Sequence, residues 1–153
     1  MPTSPLSEVE LGQAYDPGQD IRLPAMAPQD ILVWRSAQQI LARRYSRIYY
    51  NVRVGAYNPD FASLPQQYQR SAIASTAYRI DAVGDTGKRW EIIEVKDRAS
   101  LSALGQLLAY STLWQLGAPD NRPLHLVYVT PNLTYAVGIV MQKYGIESII
   151  APT

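Results

Sequence analysis

Two short apolar runs flank a turn-rich link in the middle of the chain: AYRIDAV (77–83) and RWEIIEV (89–95), joined through Gly84-Asp85-Thr86-Gly87-Lys88. Runs of β-branched and aromatic residues around a Gly/Asp link predict a β-hairpin. That hairpin constrains the fold more than any other feature, because three charged residues are written into its strands. Asp81 stands mid-run, and Glu94 and Lys96 lie two apart, so their side chains point to one face. Antiparallel pairing about the link brings Asp81 near Ile92 to Glu94. Burying two carboxylates and an ammonium near a sheet centre is costly unless something partners them. A divalent metal is one such partner, and a salt bridge is the other.

The elements around the hairpin follow from periodicity. From Pro28 the pattern is helical, with Val33, Ala37, Ile40 and Leu41 on one face and Trp34 flanking it. Pro28 and Asp30 suit a first turn, where a missing N–H is tolerated and negative charge is favoured. YSRIYYNVRV (45–54) reads as a strand, AYNPDFASLP (56–65) as a loop, and Gln66–Ser75 as a short helix. Ala99–Leu116 reads as a helix ended by Gly117, with Pro119 beyond. Its small residues Ser102, Gly105, Ala109 and Thr112 form a strip suited to close approach to a sheet. LHLVYVT (124–130) is a strand, Asn132 caps a further helix, and IESII (146–150) closes the chain as a strand. This order predicts an α/β fold, a central mixed sheet with helices on its faces, over residues 29–153. Residues 1–28 hold Pro2, Pro5, Pro17, Pro24 and Pro28 and show no apolar period, so they read as an extended arm. Such an arm suits docking on a protein partner, its own domain or a neighbouring chain.

Composition narrows the chemistry. The 153 residues contain no Cys and a single histidine, His125. Thiolate sites and His-rich zinc sites are therefore excluded. A metal site must use carboxylates and suits a hard ion such as Mg2+ or Mn2+. His125 itself reads as a packed or hydrogen-bonded residue, and Trp34, Trp90 and Trp114 as core. No apolar run approaches the roughly 20 residues of a membrane span. The N-terminus has no basic-then-apolar leader pattern, so the expected location is the cytoplasm of a host cell or a virion, away from membranes. Net charge is only +1, yet residues 31–59 carry Arg35, Arg43, Arg44, Arg47 and Arg53 with no acid among them. Tyr45, Tyr49, Tyr50 and Tyr57 are interleaved with these arginines. The stretch is either a phosphate-binding surface for DNA or a solvated helix face running into a tyrosine-rich strand.

Gln106 and Tyr110 lie four apart on one face of the helix that follows the Glu-x-Lys strand. Asp81, Glu94-Val95-Lys96 and Gln106-Leu-Leu-Ala-Tyr110 together resemble the PD-(D/E)xK nuclease signature with the Gln-x-x-x-Tyr helix motif of its RecB-like and phage-exonuclease branch. The resemblance implies a restriction-endonuclease-like core, α-β-β-β-α-β with a C-terminal α-β added. It implies Mg2+- or Mn2+-dependent hydrolysis of phosphodiester bonds in DNA, in a phage or mobile-element protein. Asp81 and Glu94 would be metal ligands, joined by the carbonyl of Val95. Lys96 would position the attacking water, and Gln106 and Tyr110 would assist near the scissile phosphate. Two departures stand out: Ile80 occupies the place of the motif's proline, and the first helix offers Gln38 and Gln39, with Asp30 only at its start.

The same features also allow a non-catalytic reading. Glu94 and Lys96 would then be an edge-of-sheet ion pair, and Gln106 and Tyr110 a helix face meeting a loop. The chain would serve as a structural protein of a phage particle or other assembly, self-associating or bound to a neighbour through residues 1–28.

Overall fold

The computed structural model describes residues 7–56 and 59–153; Tyr57, Pro2, Pro5 and the rest of 1–6 lie outside the described residues. The elements in chain order are β1 (Ser7–Glu10), β2 (Ala14–Tyr15), α1 (Pro28–Leu41), β3 (Arg47–Ala56), a 3-10 turn (Pro59–Ser63), α2 (Gln66–Thr76), β4 (Tyr78–Asp85), β5 (Trp90–Val95), α3 (Leu101–Gly117), β6 (Leu124–Thr130), α4 (Tyr135–Lys143) and β7 (Ile146–Ile150). The strands form one seven-stranded mixed sheet in the order β1-β3-β4-β5-β6-β7, with β2 also pairing β3. β3 pairs antiparallel with β4 and β4 antiparallel with β5, and β6 and β7 continue the sheet in parallel with β5. The chain is therefore α/β, with helices covering a mixed sheet.

Two cores lie on the two faces. α1 buries Val33, Trp34, Ala37 and Leu41 on one face, against Ile48, Ala82, Ile93, Val95, Val127 and Val129. α3 and α4 bury Ala103, Leu107, Tyr110, Trp114, Val137 and Met141 on the other, against Val52, Val54, Ile80, Val83 and Ile92. The α3 face that meets the sheet is thus the large-residue one. The strip of Ser102, Gly105, Ala109 and Thr112 points to solvent, opposite to the expectation, because bulky apolar side chains gain more from burial than small ones. α4 likewise starts later than expected. Thr134, rather than Asn132, caps it, with the Thr134 hydroxyl accepting the Val137 N–H at 3.3 Å.

Side-chain alternation breaks at one place. Ile48 and Tyr50 pack on the α1 side of β3, whereas Val52 and Val54 pack on the α3 side. Asn51 between them has φ +52°, a left-handed conformation that Asn tolerates better than most residues. In β4, Ile80 belongs to the α3 core and Ala82 to the α1 core, so the same reversal falls at Asp81. The flanking pairs Tyr50–Ala82 and Val52–Ile80 place Asn51 and Asp81 side by side.

Gly84, expected in the turn, is a strand residue paired with Glu91. The turn proper is held by Thr86, whose hydroxyl accepts the Arg89 N–H at 2.9 Å, with Gly87 at φ +87°.

Residues 7–28 are not a free arm. β1 and β2 add to the outer edge of β3, Gln38 donates to the carbonyls of Pro17 and Gln19, and Arg35 pairs with Asp20. Leu23 and Met26 are buried against α1. The segment lacks a period because its apolar residues are placed one at a time, between turns, onto a surface made by the rest of the chain.

Candidate active site

Pairing between β4 and β5 runs from Asp85–Trp90 to Ala82–Ile93. Two residues further, that register would bring Ile80 opposite Val95. Instead the Asp81 side chain enters, and its Oδ2 accepts the Val95 N–H at 2.9 Å. The strands part where the carboxylate sits, so Asp81 is enclosed without belonging to either apolar core.

Glu94, on the α3 side of β5, is 2% exposed. Its Oε1 lies 3.4 Å from the Lys96 ammonium, and its Oε2 is buried with no hydrogen-bond partner. Burial raises the Asp81 carboxyl above the ordinary range; the Val95 N–H and the Lys96 charge oppose that rise. For Glu94, burial and then the neighbouring Asp81 charge push the carboxyl up to about 8, against the pull of Lys96. Burial lowers Lys96, but Glu94 and Asp81 outweigh it and keep its ammonium charged. The Asp81 charge thus disfavours ionisation of Glu94, and one lysine does not offset the burial of both carboxyls.

α3 brings the other two predicted residues to the same patch. Tyr110 is 5% exposed, and burial, followed by the charges of Glu94 and Asp81, pushes its phenol upward, so it stays neutral. Gln106 stands beside Tyr110 and opposes part of that rise, while its Oε1 is buried and without a partner. Among the described residues, the buried side-chain oxygens lacking a partner belong to Glu94, Gln106 and Asn51. All three are acceptors in or beside this patch, an arrangement that favours a cation or a donor from outside the chain.

One further acid approaches. Asp30, in the first turn of α1, accepts the Asp97 N–H at 2.9 Å and adds its charge to those acting on Asp81 and Lys96. Its position at a helix start was legible in sequence; its reach to the hairpin was not. Even so, no group of three or more His, Asp or Glu side chains stands in metal-holding geometry among the described residues. As a pair of carboxylates, Asp81 and Glu94 would suit one hard cation rather than a metal cluster.

The arginines are placed otherwise. Arg44 makes two hydrogen bonds to Glu147, at 2.7 and 2.9 Å, and one to the fully buried Glu91 at 3.1 Å. Tyr45 and Arg89 also bond Glu91, and His125 bonds Glu147 at 2.8 Å. This network sits at the start of β5, on the α1 face, and Arg43 and Arg47 lie exposed at the same end. Glu94 lies at the other end of β5 on the opposite face. Arg35 pairs with Asp20, and Arg53 lies 3.9 Å from Glu10 beside a cleft of about 920 Å3 between β1 and the end of α3. The five arginines therefore form no single surface and do not line the carboxylate patch. The acids absent from 31–59 are supplied by distant segments.

No protein-family model and no curated protein matches the chain. Among solved structures it is similar to protein VC1899 from Vibrio cholerae, with a TM-score of 0.48 and 16% identity. The likeness covers 78% of this chain and 28% of that one, and at that TM-score it carries no functional argument.

Proposed function

We propose that the chain is a Mg2+- or Mn2+-dependent deoxyribonuclease of the PD-(D/E)xK type, with a restriction-endonuclease-like core formed by α1, β3, β4, β5, α3 and β6. The observation that carries the reading is the convergence of Asp81, Glu94 and Lys96 at the parting of β4 and β5, with one Glu94 oxygen buried and unpartnered. A structural ion pair does not account for it, since two enclosed carboxylates face a single ammonium. The helix residues Gln106 and Tyr110 reach the same patch, as the resemblance implies.

Asp81, Glu94 and the Val95 carbonyl would hold the ion. When bound, it would polarise a phosphate oxygen and acidify a water. Lys96 remains protonated beside both carboxylates, which suits it to orient the attacking water and to balance charge as the phosphate becomes more negative. Tyr110 keeps its proton, and its phenol, beside Gln106, can donate to a phosphate oxygen. Asp81 is fixed by the Val95 N–H, so its free oxygen is aimed without reorganisation.

The non-catalytic assembly reading leaned on an N-terminal segment left for a neighbour, and residues 7–28 are taken up by the chain's own sheet and α1. The deciding experiment incubates the protein with linear, nicked and branched DNA, with and without Mg2+ or Mn2+, beside Lys96→Ala. Metal-dependent cleavage that falls about 100-fold or more in the variant is expected. No cleavage under any divalent ion overturns the reading.

A further inference from the structure

A cavity of about 250 Å3 opens against Asp81, between β3, β4 and residues 13–26 of the N-terminal segment. Its walls combine three kinds of surface. Ile21, Leu23 and Met26 supply an apolar side. Tyr15 and Tyr50 supply aromatic rings, 5.8 Å apart and tilted by 52°, with Trp34 packed edge-on against Tyr50. Asn51 supplies an amide whose Oδ1 is buried without a partner. Arg22 and Arg79 also line it, both exposed and without an ion pair among the described residues.

We propose that this cavity receives one unpaired nucleotide of the strand being cut, immediately beside the scissile phosphate. The inference rests on the nuclease reading and deepens it, by assigning a preference for single-stranded or frayed ends over intact duplex. Each wall matches a part of a nucleotide. An aromatic and apolar lining suits the faces of a base, and a buried amide without a partner suits the polar edge of one. Two guanidiniums at the lining suit the flanking phosphates. The volume lies below the roughly 300–1,000 Å3 of pockets that bury drug-sized ligands, which limits the occupant to one base and excludes a base pair. Asp81 belongs to both the cavity and the carboxylate patch, which meet at the parting of β4 and β5, Tyr50, Leu23 and Met26 walling the cavity from the α1 side and Glu94 standing on the α3 side. A base still paired and stacked in a duplex cannot enter.

Asn51 ties the cavity to the site through the backbone. Its left-handed conformation reverses the facing of β3 next to Asp81, and the residue lines the cavity. Asn51→Gly keeps that conformation accessible and removes only the amide. Tyr15→Ala removes a ring from a two-residue edge strand and leaves the main sheet intact.

The test measures binding of fluorescent single-stranded, overhang and blunt duplex DNA in Ca2+, and titrates dAMP while following the Asn51 side-chain amide by NMR. The wild type should bind single-stranded and overhang DNA more tightly than blunt duplex. Tyr15→Ala and Asn51→Gly should each lower single-strand affinity by about tenfold, the scale of one lost stacking contact, and the Asn51 amide resonance should shift with dAMP. Equal affinity for all three DNAs, with an unmoved amide, overturns the cavity while leaving metal-dependent cleavage to stand on its own result. If no DNA is cleaved, the nuclease reading fails separately, and the dAMP titration still decides whether the cavity takes a nucleotide.

Discussion

The Asp81 carboxylate accepts the Val95 N–H at 2.9 Å, in the position a neighbouring strand's carbonyl would take had β4 and β5 stayed paired. This side-chain-to-backbone bond fixes the acid and props the two strands apart. Asp81→Asn keeps an oxygen for the same bond and removes the charge that repels Glu94. Thermal unfolding without metal should therefore be unchanged or slightly raised in the variant. Added Mg2+ should raise the Tm of the wild type by binding the folded state, and leave the variant's almost unmoved. A variant that loses several degrees without metal, beside a wild type indifferent to Mg2+, would make Asp81 a salt-bridge partner and nothing more.

Glu94 should dominate the pH dependence of the metal-free protein. Its carboxyl is raised by burial, then by Asp81, from 4.5 to about 8. A folded state that holds the proton more tightly than the unfolded chain gains most below the unfolded value, and loses that gain as pH rises through the folded one. Glu147 has the opposite sign. The Arg44 hydrogen bonds hold it down to about 2, so its contribution is present above 4.5 and is lost as pH falls toward 2. The Tm should decline between about pH 5 and pH 8, and Glu94→Gln should flatten that decline. An identical slope in wild type and variant would rule Glu94 out as its origin. Mg2+ should also flatten it, because a cation takes the deprotonated form.

Gly84 is needed for contact rather than for turning. A Cβ there would run into the Tyr45 ring, which cannot retreat because its hydroxyl donates to Glu91 at 2.7 Å. Gly84→Ala should cost about 1–3 kcal/mol by overpacking, read from denaturant unfolding. The cost should shrink in a Tyr45→Leu background. If the two substitutions prove additive, the ring is not the obstacle.

Leu23 and Met26 carry the N-terminal segment into the core, each 8% exposed against α1. Leu23→Ala should destabilise the domain by about 2–3 kcal/mol, and removal of residues 1–27 by more. An unfolding midpoint unchanged by Leu23→Ala would return the segment to the status of a free arm.

Most helices and strands were legible from periodicity and local propensity, since both act within a few residues. The hairpin 77–95, the helix from Pro28 and the final strand fall where local pattern places them. The motif Asp81, Glu94, Lys96, Gln106, Tyr110 was legible as a set because strand and helix spacing orient neighbours in sequence. The break in alternation was not. Left-handed Asn51 reverses β3 and faces a reversal at Asp81, and nothing in a run of apolar residues marks where such a reversal falls.

Tertiary structure alone decided the rest, for one physical reason: charge pairing and burial are satisfied between segments far apart in the chain. Arg44, in an acid-free stretch, found Glu91 and Glu147 on strands some 50 and 100 residues away and became an internal tie. Single apolar residues between prolines became core because α1 presented a surface for them. The sequence by itself determined which residues could form the carboxylate patch; the parting of β4 from β5 determined that Asp81 stands in it, and the folded-back N-terminal segment determined the cavity beside it.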